Sequence, residues 1–517
     1  MINCCLCFVR MTTPYKSILP ENCEFVNDNG MLYSSRMENT HPIFLSFKQV
    51  AKSKIFFCIV LIAVGLVLFF PRMQALPMEN YDEGVYSEAA LEMSRTGDLW
   101  TLSYQGTPFY EKPPLYIWAS LPLVKIFGPE NWTFRFWSAI AGIGSTILLG
   151  LFVFEKEKKM LIAWLASLIF MTGEFTILHA FRSGDTDGFL LFFSILGLYA
   201  YWKGITKKSW LLVAGAAFAL AVMSKSVAGL AGPAIALIDA VLVRRWHMFK
   251  GRWIWLALLA FFAVAAPWHI AQTIMHGSVF WKSYIGFHVI DRSTSAIFPF
   301  TLPVYWYVEV VGNRLFLFSF LLPFAGILVA WRVIKKRSDG MLTLVWAIVP
   351  FVAYSLAVTK FEQYILICYP AIAWMIAIFV ADIFERLWVR RLALAYALML
   401  VVSIGILYCG VRNVRATQAK ASISPYQEVA AVVREANSSR VVIYDTDLYT
   451  KPAGYFELAK LGSDVQIIFA RTAEELEEQA IAGSSIVVSD ETNPALLSAY
   501  DQKATVNHYV VLLAPKD

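Results

Sequence analysis

The stretch KIFFCIVLIAVGLVLFFPRMQALPMENYDEGVYSEAA, residues 54–90, decides how this chain is folded. Its first half is an unbroken apolar run. Its second half places Asp82, Glu83 and Glu88 only a short way past the end of that run. A helix that crosses the hydrocarbon core of a bilayer needs about 20 apolar residues, and the run suits that length. Carboxylates are costly in lipid, so the three acids belong to the layer just beyond it. Which side that layer is on follows from the rest of the chain.

Of the 517 residues, 58% are hydrophobic and 16% charged. A soluble domain carries about a quarter charged residues. Further apolar runs recur near 133–154, 160–178, 187–203, 208–224, 226–243, 253–275, 313–333, 341–358, 362–382 and 391–410. The reading is an α-helical polytopic membrane protein with about 11 transmembrane helices, in a range of about 11–13. The net charge of +6 is no footprint of nucleic acid, because the bases cluster in the connecting loops. Lys52 and Lys54, Lys158 and Lys159, Lys207 and Lys208, Arg244 and Arg245, Lys335 and Lys336, and Arg390 and Arg391 all fall on one side when the N-terminus is inside. Positive charge favours the cytoplasmic side, so this orientation is expected.

Three segments then lie outside: a first loop at 72–132, a second at 276–312, and residues 411–517. The tail alternates strand-like runs such as VVIYDT (441–446) and VQIIFA (465–470) with the helical TAEELEEQAIAG, and reads as a small extracytoplasmic α/β domain. Residues 1–50 read as a disordered cytoplasmic segment. Their Cys4, Cys5 and Cys7 cluster reads as an unstructured or misassigned start, with Met31 or Met37 as alternative starts. Residues 51–410 form the membrane domain.

Chemistry can therefore reside only where charges meet at the outer surface. In the first loop, VYSEAALEMSRT is a helix that stops at Gly97, with Glu88, Glu92 and Arg95 as its solvated face. Asp82 and Glu83 suit that helix's N-terminus, which accounts for one of them. Glu111 and Lys112 stand ahead of the stiff Pro113-Pro114 pair, which argues for fixed positioning. In the second loop His288 and Arg292 are four apart and share a face if helical. The turn HAFRSGDTDGF supplies Arg182, Asp185 and Asp187, with Asp185 as a helix cap. TKFEQYILICYP supplies Lys360, Glu362 and Tyr364. The span centres stay mostly uncharged and no internal repeat is visible. That favours an enzyme working at the interface over a lipid or isoprenoid-phosphate transporter or a membrane hydrolase.

The stretch YDEGVYSEAALEMSRTGDLWTLSYQGTPFYEKPPLYIW (81–118) resembles the first outer loop of bacterial lipid A aminoarabinose transferases and the related protein O-mannosyltransferases. The similarity continues in order through HAFRSGDTDGFLLFF, PWHIAQTIMHGSVFWKSYIGFHVIDR and KFEQYILICYPAIAW. The resemblance implies the GT-C fold. It also implies transfer of a hexosyl or pentosyl group from a polyprenyl-phosphate sugar to a lipid, glycan or protein acceptor at the outer face of the inner membrane. The family's catalytic acid falls on Asp82, with Glu83 beside it. Its Glu-Lys motif falls on Glu111 and Lys112, and its His-Arg motif on His288 and Arg292. Where the family reads Glu-His, this chain has Phe287-His288. On this reading Lys112 and Arg292 would bind the donor phosphate, joined by Arg182 and Lys360. Glu111 would position Lys112 or hold a divalent ion with His288. Asp185 and Tyr364 are further candidates.

Overall fold

The computed structural model describes residues 24–26, 32–34, 53–79, 82–174, 176–296, 301–336, 340–419, 425–436, 438–444, 452–460, 465–480, 485–490, 501–506 and 509–513. Two compact units are present, 1–59 and 60–517. In the first, strands β1 (Glu24–Val26) and β2 (Leu32–Ser34) pair antiparallel. Those six residues lie in the segment 1–50, expected to be disordered. For the rest of 1–50, with Cys4, Cys5, Cys7 and the two alternative starts, that expectation lies outside the described residues.

Every apolar run falls on a helix. The chain passes through α1 (Lys54–Phe69), α2 (Asp82–Thr96), α3 (Leu115–Phe127), α4 (Asn131–Glu157), α5 (Met160–Thr172), α6 (Asp187–Gly204), α7 (Trp210–Lys225), α8 (Ala231–Leu242) and α9 (Arg252–Trp281). It continues through α10 (Trp306–Leu315), α11 (Leu322–Lys335), α12 (Met341–Leu356), α13 (Tyr369–Arg390) and α14 (Leu392–Ala419). Among the described residues, six helical segments are long and apolar enough to cross a membrane, and four shorter apolar helices accompany them. This is a multi-pass membrane protein. Its interior is easily located, because the apolar stretch of α13 is 89% buried against the other helices while that of α9 is only 17% buried. An apolar helix that its own protein leaves uncovered is one that faces lipid.

Helices α2 and α3 do not belong to that bundle of long spans. Asp82 and Glu83 occupy the first turn of α2, where acids favour the positive end of the helix dipole. Gly97, at φ 74°, ends the helix by taking the left-handed conformation that glycine adopts without strain. A two-residue hairpin, β3 (Ser103–Tyr104) and β4 (Thr107–Pro108), follows. Then Pro113 and Pro114 lead into α3. Helix α9 is bent at Gly277, also in the left-handed region.

The C-terminal segment is a five-stranded sheet. Strands β5 (Arg440–Tyr444), β6 (Gln466–Ala470), β7 (Ser485–Asp490), β8 (Asp501–Val506) and β9 (Tyr509–Leu513) take the order 6-5-7-9-8. The 6-5-7 pairings are parallel and the 7-9-8 pairings antiparallel. Helices α15 (Pro425–Glu435), α16 (Pro452–Ala459) and α17 (Ala473–Gln479) accompany the sheet. Strand β8 and helix α16 lie in stretches that hydrophobic alternation does not mark.

This sheet shares one apolar core with α2 and α3. Val85, Tyr86, Ala89 and Met93 of α2 pack in one cluster with Ile117 and Leu121 of α3 and Val441, Phe456 and Val488 of the tail. The rings of Phe134 and Phe456 meet edge to face at 5.0 Å, and Lys460 donates to Asn131 at 2.6 Å. The solvated face expected for Glu88, Glu92 and Arg95 holds for Arg95, which is exposed, and is corrected for Glu88, with Glu92 half-buried. Glu88 is only 5% exposed, and Arg95 donates to the Ala459 carbonyl.

Candidate active site

Glu111 is the centre of a cationic cluster. Its Oε1 accepts from Lys112 Nζ at 2.5 Å, and Arg292 Nη2 and His288 Nδ1 stand at 3.4 and 3.6 Å from the same oxygen. The adjacent prolines hold the Glu-Lys pair, because each fixes its own φ and restricts the residue before it. Arg292 arrives from the far side of the Gly277 bend. It lies over the Phe287 and Phe361 rings and beside the Tyr364 hydroxyl. Burial pushes the Glu111 carboxyl up, yet the three basic neighbours hold it down at about 2. It is therefore an anion, and with Lys112 and Arg292 it leaves one net positive charge.

Next to this cluster lies an acidic group. Asp82 is half-buried at the start of α2. Burial and the nearby Asp185 raise its carboxyl to about 6, and Lys112 and Lys225 partly offset them. Asp185 is likewise raised to about 6 by burial and by Asp187, against the pull of Lys225. Its Oδ1 accepts from the Thr186 backbone N–H at 2.5 Å and from its hydroxyl at 3.1 Å, so it shapes the turn before α6. Asp187 accepts from Lys225 Nζ at 2.6 Å, with both side chains buried. The charge of Asp185 thus reaches Asp82, and that of Asp187 reaches Asp185.

Lys225, the partner of Asp187, is a residue that the sequence reading did not single out. The available signal was a lone lysine in SKS, closing an otherwise apolar helix. Tyr86, one turn after Asp82, is buried with a hydroxyl that finds no hydrogen-bond partner among the described residues. The charges of Asp82, Glu111 and Asp185 all reach it.

The other expected residues serve elsewhere. Glu83 is 2% exposed. It accepts from Arg135 Nε at 2.6 Å and Nη2 at 2.7 Å, from the Gly184 N–H at 2.6 Å and from the Glu79 N–H at 2.8 Å. The site is tight at Gly184, where a Cβ would stand 3.3 Å from Glu83 atoms. Arg182 donates to the carbonyls of Leu68 at 2.6 Å and Pro71 at 2.7 Å, stapling the end of α1. Lys360 donates to the carbonyls of Leu302 at 3.2 Å and Ala357 at 2.5 Å. Neither cation joins the Glu111 cluster. Glu362 pairs with Arg314, which also binds Glu174.

The residues do not fit a divalent metal. Among the described residues no three His, Cys, Asp or Glu side chains are placed to hold one. The only two expected ligands, Glu111 and His288, have Lys112 and Arg292 crowded onto the same oxygen. What the arrangement suits is an anionic group on the Lys112–Arg292 side and a proton acceptor on the Asp82 side.

Helices of this order, with surface helices after the first span and a terminal sheet, define the GT-C fold. ArnT from Cupriavidus metallidurans, crystallised with undecaprenyl phosphate, is similar over 88% of this chain and 97% of its own, with a TM-score of 0.72 and 16% identity. The Archaeoglobus fulgidus oligosaccharyltransferase is similar over 89% of this chain and 73% of its own, with a TM-score of 0.56 and 13% identity. The family model of dolichyl-phosphate-mannose-protein mannosyltransferases matches residues 54–284. An undecaprenyl phosphate-alpha-4-amino-4-deoxy-L-arabinose arabinosyl transferase from Aeromonas hydrophila is 26% identical over 62% of this chain. That match spans 60% of the relative's length. The chain thus has the fold that ArnT shows, and its first half resembles the mannosyltransferase family model.

Proposed function

We propose that this protein transfers a sugar from a polyprenyl-phosphate carrier to an acceptor hydroxyl or amine, at the outer face of a cytoplasmic membrane. The observation that carries the reading is the meeting of the Glu111–Lys112–Arg292 cluster with the Asp82–Asp185 pair. The likeness to ArnT and the Aeromonas arabinosyl transferase supports it. The acceptor's nucleophilic atom attacks the anomeric carbon while the carbon–oxygen bond to phosphate breaks. The bonding pair leaves with the phosphate, whose charge Lys112 and Arg292 stabilise. The acceptor's proton passes to Asp82. One displacement inverts the anomeric centre. Glu83 positions Asp82 through Arg135, and Arg182 and Lys360 hold the frame. The carrier is a hexosyl or pentosyl donor, and the acceptor a lipid A-like lipid, a glycan or a protein. The basic loops support an N-terminus inside and a C-terminal sheet outside.

The test is incubation of the purified protein with a labelled polyprenyl-phosphate sugar and candidate acceptors. Labelled acceptor supports the reading. Free sugar alone would mark a hydrolase, and movement of intact donor across vesicles a transporter. Two further outcomes are expected. Lys112→Ala weakens polyprenyl-phosphate binding by about 2 kcal/mol, roughly thirtyfold, as loss of a charge-assisted bond does; unchanged affinity in a binding titration would exclude Lys112 as the phosphate ligand. The transfer rate falls as pH drops through about 6, because the base must be ionised and Asp82 is raised to about 6. A profile flat from pH 5 to 8 would exclude Asp82 as the base.

A further inference from the structure

Between α2 and the C-terminal sheet lies a cavity of about 680 Å³. Its lining includes Glu88 and Glu92 of α2, Gln105 at the β3–β4 turn, and Ile468 and Phe469 of β6. It is distinct from the Glu111 cluster, none of whose residues line it. Its walls also carry Arg95, Thr107, Arg471 and Gln479, yet three buried acceptors remain unmatched. Glu88 and Gln105 are 5% and 7% exposed, and Glu88 Oε2, Glu92 Oε2 and Gln105 Oε1 have no hydrogen-bond partner among the described residues. The second oxygens of the acids are occupied by the hairpin: Glu92 Oε1 accepts from the Gly106 N–H at 3.0 Å, and Glu88 accepts from the Gln105 backbone. The tip is therefore held rigidly with three acceptors left over.

Buried acceptors left unpartnered beside arginine and amide donors call for a ligand that carries both O–H or N–H groups and acceptor oxygens. A bare metal ion does not suit them, since among the described residues no carboxylate cluster has metal-holding geometry. Hydroxyls satisfy carboxylate and amide oxygens, and the apolar edge of a sugar ring packs on Ile468 and Phe469. We infer that this cavity is a saccharide subsite, which holds a sugar unit of the acceptor apart from the unit that reacts. The inference rests on the glycosyl-transfer reading and narrows its acceptor to a molecule that already carries a glycan. Glu88 and Glu92 follow Asp82 by about 9 and 15 Å along α2, a span of roughly two or three sugar rings.

The test uses the full chain in lipid nanodiscs, with diacetylchitobiose and its de-N-acetylated form as probes, read by saturation-transfer NMR and titration. The wild type is expected to bind the neutral disaccharide, and tighter binding of the amino form would assign the recognised group as an ammonium. Glu88→Leu should weaken binding about tenfold, and Ile468→Trp, which fills the cavity from the opposite wall and leaves the hairpin bonds alone, should abolish it. Polyprenyl-phosphate affinity should be unchanged in both. Should Glu88→Leu fail to fold, Ile468→Trp decides. No binding to the wild type, or binding that neither variant alters, overturns the subsite. Sugar binding lost in the variants but without transfer activity in the wild type would remove the glycosyl-transfer reading and leave the subsite in place.

Discussion

Replacing Asp82 by Asn is expected to lower the transfer rate by roughly 10²- to 10⁴-fold, the usual contribution of a positioned general base. The amide keeps the size of the carboxylate and its place on α2 but cannot take a proton. Donor binding should survive, because the cations that meet the phosphate belong to other elements. Stability separates this outcome from unfolding. Burial raises the folded-state carboxyl of Asp82 to about 6, above its ordinary value of 3.8. Ionised Asp82 therefore disfavours the folded state at pH 7, and protonation relieves that as pH falls through about 6. The Asn variant should accordingly melt at the same or a higher temperature than wild type above pH 6. It should lose any such advantage below pH 4, where the acid is neutral in both states. A variant that melts normally and still transfers at a tenth of the wild-type rate would remove Asp82 from catalysis.

The largest effect on folding is expected at Arg135. Its guanidinium binds both Glu83 oxygens and the carbonyls of Met73, Leu76 and Pro77, at 2.7 to 2.9 Å for the carbonyls. Arg135 and Glu83 are each 2% exposed. Removing one partner of such a pair leaves an uncompensated buried charge and costs about 3–5 kcal/mol. Arg135→Met should lower stability by that amount in denaturant or thermal unfolding. The double variant with Glu83→Gln should recover part of it, since the stranded carboxylate is then gone. A single variant within about 1 kcal/mol of wild type, or a double variant that is worse, would show that the pair does not anchor α2.

The helices were readable because lipid imposes length and composition on them, and each apolar run is indeed helical. The Glu111–Lys112 and His288–Arg292 pairs were readable because charge beside aromatics at a membrane surface is costly without a purpose. What stayed hidden depends on contacts between distant segments. Lys225 finds Asp187 only when α6 and α7 pack together. Arg135, set in the apolar run that forms α4, reads as an isolated cation until Glu83 closes on it. Glu88 and Glu92 have the spacing of a wet helix face, and only the tail's fold reveals that they are covered. Arg182 and Lys360 illustrate the reverse case, since cations that sequence offers to a ligand are taken by backbone carbonyls.

The packing of strands 440–470 against α2 bears on the order of biogenesis. A ribosome completes and inserts the long helices before those strands exist, so α2 waits with its first turn held by the Glu83–Arg135 pair and one flank bare. A nascent protein stalled before residue 440 would leave the apolar flank of α2, with Val85, Ala89 and Met93, uncovered.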